Sequence, residues 1–103
     1  MRNTVIIRYT LEQAIADGVL GEIFKNRWNE LSNGKPIVAT DHLFLSVSQA
    51  ALLEIWNEFV IWRTNVMPTL PEAERMFVTS MNDKDVWVLE DDNAFTMLYP
   101  EDY

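Results

Sequence analysis

His42 is the single histidine of the chain, so any imidazole acid–base or triad chemistry must pass through it. It stands in Thr40-Asp41-His42-Leu43, with Ser46 and Ser48 close by. A nucleophilic serine needs an adjacent base and a sharp turn that exposes its hydroxyl. No Gly-x-Ser-x-Gly surrounds either serine, so His42 reads as a surface or partly buried histidine and no catalytic residue is assigned. Glu54 and Glu58 have the spacing of an acid/base pair, but no His or Lys stands beside them to tune them. They read as the wet face of a helix. Asp83-x-Asp85 opens like a calcium loop, yet it lacks the glycine and the bidentate glutamate such a loop requires. Glu90-Asp91-Asp92 could hold a hard cation loosely; three adjacent acids between two strands read more simply as a solvated turn, and no metal ligand is assigned. Gly18, Gly21 and Gly34 fit neither the dinucleotide fingerprint nor the Walker pattern, so no cofactor is expected. With no cysteine, disulfides, thiolate zinc sites and a thiol nucleophile are absent together. The expectation is a protein that is not an enzyme.

What remains is charge and aromatic surface. Sixteen acids face eight bases, for a net charge of −8 and a pI near 4.4, which argues against direct contact with nucleic acid or an anionic membrane. The charge is skewed. Residues 1–35 carry a net +1 and residues 36–103 a net −9. Such asymmetry speaks to partner preference, although it also keeps a small domain dispersed. The expected partner surface is Asp83, Asp85, Glu90, Asp91, Asp92, Glu101 and Asp102, meeting a protein with a basic face. Trp28, between Arg27 and Asn29, reads as an exposed apolar anchor of the kind found at interfaces, with Tyr103 as a second choice. Trp56, Phe59, Trp62 and Trp87 are interleaved with acids rather than bases. They read as core and not as a single-stranded nucleic-acid platform.

These side chains need elements to position them. The 103 residues make a single acidic globular domain, residues 1–103, large enough to bury a core. The longest apolar runs, among them Ala50–Leu53 and Phe59–Trp62, are four residues, far short of the roughly 20 a membrane span needs. The start has no apolar run of about 7–15 residues, as a secretory leader would, so an intracellular location is expected. Thr4–Arg8 reads as a short β-rich segment. Thr10-Leu11-Glu12-Gln13 fits a capping box, with Tyr9 as a staple and Gly18 closing a helix from Leu11 to about Asp17. Val19–Phe24 reads as a strand or irregular segment, Lys25–Leu31 as two helical turns ended by Ser32-Asn33-Gly34, and Ile37–Thr40 as extended chain. Ser48 caps a helix running to Thr64, with a broad apolar stripe at 51, 52, 55, 56, 59, 60 and 62. A β-meander follows over Arg75–Met81, Val86–Leu89 and Ala94–Tyr99. The fold class is α+β: a long central helix and a short capped helix on a small antiparallel sheet, the C-terminal three-stranded meander.

The segment Tyr9-Thr10-Leu11-Glu12-Gln13-Ala14-Ile15-Ala16-Asp17-Gly18-Val19-Leu20 resembles the opening of a domain family of unknown function found in phages, plasmids and other bacterial mobile elements, Tyr-Thr-x-x-Gln-Ala-Ile-x-Asp-Gly-Val-Leu. Pro36-Ile37-Val38-Ala39-Thr40 is similar to its middle segment, and Thr96-Met97-Leu98-Tyr99-Pro100-Glu101-Asp102 to its closing strand and tail. The likeness covers about a quarter of the chain. Gly21 departs from it, standing where a β-branched residue would extend the strand. The resemblance implies no catalytic residues. It implies a setting: an accessory protein of a mobile element, extending to an inhibitor of a host defence complex, of anti-CRISPR or anti-restriction type, with carboxylates as DNA mimics in place of phosphates. The alternative expectation is a self-associating structural or regulatory protein, monomer or homodimer, whose wide apolar helix face pairs with a second copy.

Overall fold

The computed structural model describes residues 10–103; the β-rich Thr4–Arg8 and the Tyr9 staple lie outside the described residues. The chain is α+β. In order it forms α1 (Leu11–Ala16), β1 (Leu20–Glu22), a 3-10 turn at Lys25–Arg27 leading into α2 (Trp28–Ser32), β2 (Ile37–Thr40), α3 (Asp41–Ser46), α4 (Gln49–Asn65), β3 (Phe77–Met81), β4 (Lys84–Glu90) and β5 (Phe95–Leu98). A last 3-10 turn, Pro100–Asp102, closes the chain.

Local chemistry sets the boundaries. The Thr10 hydroxyl accepts from the Gln13 amide at 3.1 Å while the Gln13 side chain reaches back to the Thr10 N–H, so two orphan donors of α1 are satisfied together. Asn33 and Gly34, at φ +54° and +87°, turn the chain from α2 into β2. Ser48 accepts from Ala51 N–H at 3.2 Å and starts α4. Pro68 and Pro71 then forbid its continuation. Asn82 and Asp83, both at positive φ (55° and 66°), make the two-residue turn whose twist suits a β-hairpin.

The sheet is larger than the meander alone. Its order is β1-β2-β5-β4-β3: β3, β4 and β5 form the expected antiparallel meander, and β5 then pairs in parallel with β2, which carries β1 antiparallel on its far side. All residues of β2 and β5 are buried, which explains why they are apolar apart from Thr40 and Thr96; a strand covered on both faces has no polar side to alternate with.

One face of the sheet packs on α4. Ile37, Ala39, Val86, Val88, Phe77, Phe95 and Met97 meet Leu52, Ile55, Trp56 and Phe59 in one core. Fully burying each of those helix side chains contributes roughly 1.5–3 kcal/mol. Phe95 is the hub: Trp56 meets its ring edge-on at 5.0 Å and Phe59 at 5.7 Å, while Phe59 also meets Phe77 at 5.6 Å. On the opposite face, Ala14 and its neighbours on α1 cover Leu20, Val38 and Ala94. α3 has no counterpart in the sequence reading; it lies between β2 and α4 and sends Leu43 into the core. Its Phe44 ring lies on Gly21, where an added Cβ would stand 3.2 Å from ring carbons. The departure at Gly21 therefore has a packing reason.

Two stability predictions follow from these contacts. Gly21→Val forces the Phe44 ring aside and should cost about 1–3 kcal/mol in urea denaturation, with much of the loss recovered when Phe44→Ala is added. Asp83→Gly removes a Cβ from a left-handed position and should raise stability by about 0.5–1 kcal/mol.

Candidate functional site

The strand order sorts the acids into two groups. β4 spans seven residues, roughly 20 Å at the rise of a strand. The hairpin acids Asp83 and Asp85 sit at its start, and Glu90, Asp91 and Asp92 sit at its far end. β5 runs back antiparallel to β4, so Glu101 and Asp102 return to the hairpin end. β2 runs parallel to β5, which brings Asp41 and His42 to the same end. One pole of the sheet thus gathers Asp41, Asp83, Asp85, Glu101 and Asp102, all exposed except the half-buried Asp102. Asp41 and His42 are members that sequence reasoning left out of the surface; the signal was only that they directly follow an apolar run.

The pole has internal order. The buried Thr40 hydroxyl donates to Asp102 Oδ2 at 3.0 Å, across 62 residues of sequence. His42 Nδ1 lies 3.4 Å from Asp102 Oδ1 and 3.7 Å from Glu101 Oε2, contacts that become ion pairs when the imidazole is protonated. The His42 ring also meets Tyr99 edge-on at 4.9 Å, and Lys84 Nζ lies 5.0 Å over the Tyr99 ring. Tyr103 is 41% exposed and stands edge-on to the half-buried Trp87 at 5.8 Å. Asp102 is thus engaged within the fold, whereas Asp83 and Asp85 make no side-chain hydrogen bond or ion pair among the described residues.

His42 and Asp102 are the beginning of a triad without its end. The Ser46 hydroxyl donates to the His42 carbonyl at 2.6 Å, so it is turned to the backbone. The Thr40 hydroxyl donates to the carboxylate and not to the imidazole. Among the described residues, no side-chain hydroxyl is hydrogen bonded to the imidazole as a nucleophile would be. Among the described residues no three His, Cys, Asp or Glu side chains are grouped to hold a metal ion, and no helix is long and apolar enough to cross a membrane.

At the other end of β4 the acids are differently employed. Arg63 donates from Nε and Nη2 to both Glu90 oxygens, at 2.7 and 2.8 Å. Lys35 Nζ approaches the same carboxylate at 3.6 Å and covers the Phe95 ring at 4.7 Å. This cluster borders a cleft of about 310 Å³ between α4 and the turn before β2. The hydrogen bonds from Arg63 hold the Glu90 carboxyl below the usual glutamate range, against partial desolvation and with help from Lys35. Asp91 accepts from the Asn93 and Ala94 amides at 2.7 and 3.0 Å and so shapes the β4–β5 turn. Two of the seven acids expected on one surface are therefore structural, and Asp92 lies beside them, away from the pole.

Trp28 is not the exposed anchor that its polar neighbours suggested. Its Nε1 donates to the Ile23 carbonyl at 2.7 Å and its ring packs against the main core. Arg27 beside it is taken up by Glu30, through hydrogen bonds of 3.2 and 2.9 Å. Of the two aromatic choices, Tyr103 is the one placed at the acidic pole.

Compared with known proteins, the chain matches no family model, no curated protein and no solved structure.

The Arg63–Glu90 pair has a pH signature. Because the folded carboxyl titrates below its ordinary value of about 4.3, its stabilisation is complete above that value and is lost as pH falls through the lower folded one. Arg63→Met keeps the apolar stem beside Phe95 and removes the charge. It should cost about 1 kcal/mol at pH 7, with the difference from wild type narrowing in urea titrations below about pH 4.

Proposed function

We propose that this chain is a non-enzymatic binding module that docks its acidic pole on a basic surface of a partner protein. The observation that supports this reading is the gathering of Asp41, Asp83, Asp85 and Glu101 at one end of the sheet, beside an exposed Tyr103, while Glu90 and Asp91 serve the fold elsewhere. A charged rim around a Tyr–Trp pair has the composition of an interface, in which the aromatic group carries affinity and the charge carries steering and specificity. In the setting implied by the resemblance to mobile-element proteins, the partner is a host nucleic-acid-binding defence complex in the bacterial cytoplasm, and the carboxylates take the place of phosphates. Self-association through α4 is less favoured. Of its apolar stripe, Leu52, Ile55, Trp56 and Phe59 are spent on the core and Val60 remains exposed, as does Ile61 beside the stripe.

The test compares capture of host proteins by wild type and by two variants. Asp83→Asn/Asp85→Asn/Glu101→Gln neutralises the pole and leaves the Thr40–Asp102 bond intact. Glu72→Gln/Glu74→Gln makes an acidic control in the connector after α4. The pole variant should lose capture at least tenfold (on the order of 1.4 kcal/mol or more), the control should keep it, and duplex DNA should compete. Capture by wild type should fall steeply from about 0.05 to about 0.5 M salt. Capture that is indifferent to salt and equal for both variants would sink the proposal.

A further inference from the structure

The cleft between α4 and the turn before β2 carries an inference separate from the acidic pole. It holds about 310 Å³, the size at which small-molecule sites begin. Leu31, Trp56, Phe59, Val60 and Phe95 give it apolar walls, and its charged residues are Lys35, Arg63 and Glu90. An apolar hollow on which a few polar groups converge has the composition of a ligand site.

Its charge is opposite to that of the chain. Two cations and one carboxylate make the lining net positive, in a protein of net charge −8. Elsewhere Lys25 and Arg27 each have a glutamate of their own, at 3.3 and 2.9 Å. Lys35 and Arg63 share Glu90, and they share it unequally. Arg63 holds both carboxylate oxygens through Nε and Nη2. Lys35 Nζ stands back at 3.6 Å, beyond the reach of a direct hydrogen bond, and lies over the Phe95 ring at 4.7 Å. Arg63 Nη1 makes no hydrogen bond among the described residues. Asp91 serves its own turn, and neither it nor Asp92 lines the cleft. One positive charge is therefore left over beside an apolar hollow.

We propose that this cleft binds a small organic monocarboxylate, an acid group on a compact apolar body of about ten non-hydrogen atoms. The body displaces water along Leu31, Val60 and Phe95, and the carboxylate accepts from Lys35 Nζ and Arg63 Nη1. Charge-assisted bonds of this kind are the strong ones. The excess of a single charge selects a single negative charge. A phosphate monoester brings nearly two, and the second would meet Glu90. A neutral ligand would leave the ammonium without an acceptor. Because the cleft lies at the far end of β4 from the acidic pole, it can be filled while the pole is engaged, and it does not rest on that reading.

The test follows amide shifts of the isotopically labelled protein at pH 7 as 3-phenylpropanoate is added, with 3-phenylpropanamide and 3-phenylpropylammonium as its neutral and cationic counterparts. The acid should saturate with a dissociation constant on the order of 1 mM, with shifts centred on Leu31, Lys35, Val60 and Thr64. The amide should bind at least fivefold more weakly, and the ammonium should not bind. Lys35→Met keeps an apolar stem over Phe95 and should weaken the acid at least fivefold. Val60→Trp, from a position 38% exposed, fills the cleft and should abolish binding. Glu90→Gln removes the competing carboxylate and should tighten binding about threefold, a gain that a variant merely loosened in its fold would not show. Circular dichroism confirms that each variant keeps the fold. No saturable shift up to about 10 mM acid, equal binding of acid and amide, or binding that survives Val60→Trp would each overturn the proposal.

Discussion

The parallel ladder between β2 and β5 holds the two halves of this protein together. Ile37, Val38 and Ala39 lie beside Phe95, Thr96 and Met97, and every residue of both strands is buried. A parallel pair needs a long crossover. Here that crossover contains α3, α4 and the β3–β4 hairpin, so the helix that covers the sheet is drawn onto it by the connection itself. Once β2 and β5 run the same way, whatever follows each strand must emerge at the same end. Asp41 and His42 follow β2; Glu101 and Asp102 follow Tyr99 and Pro100 beyond β5. The Thr40–Asp102 bond and the His42 contacts close that end and fix the C-terminal turn against the strand ends.

Local signals were read well because their chemistry is local. The capping box at Thr10, the Ser48 cap, the left-handed Asn33–Gly34 turn and a turn between the first two meander strands each involve groups within four residues. α3 escaped because its local signal is weak: it is six residues long and has no side-chain cap, the Thr40 hydroxyl being bonded to Asp102. With six residues and no side-chain cap, α3 depends on packing from Leu43 and Phe44. The β2–β5 pairing was invisible for a related reason. Two apolar runs 58 positions apart carry no mark of their register, and the three-residue β1, interrupted by Gly21, is too short to show periodicity.

The same limit governed the site. Along the sequence, Asp83 to Asp92 is one acidic stretch. In space β4 divides it, because a strand separates its ends as far as a chain can. Trp28 sits in a polar run, yet an indole needs a single acceptor to be buried, and the Ile23 carbonyl supplies it. Glu90 belongs to a dense run of acids, but its partners Arg63 and Lys35 come from α4 and from the turn before β2.

The arrangement of charge follows from how completely the sheet is covered. Strand interiors facing α4 and α1 have no room for an unpaired carboxylate, because burying one costs several kcal/mol. Acids are therefore confined to strand ends, turns and the wet faces of helices. Confinement alone would scatter them over both ends of the sheet, which is all that solubility requires. The two ends instead differ in kind. At one, Arg63 and Lys35 neutralise Glu90 over an aromatic floor, and Asp91 is tied to its own turn. At the other, among the described residues, Lys84 over the Tyr99 ring and His42 are the bases near five acids. Lys84 keeps its charge over the ring and offsets part of that pole, which stays net acidic among the described residues. A surface so composed is net acidic beside an exposed Tyr103, and the proposed docking on a basic partner would use both.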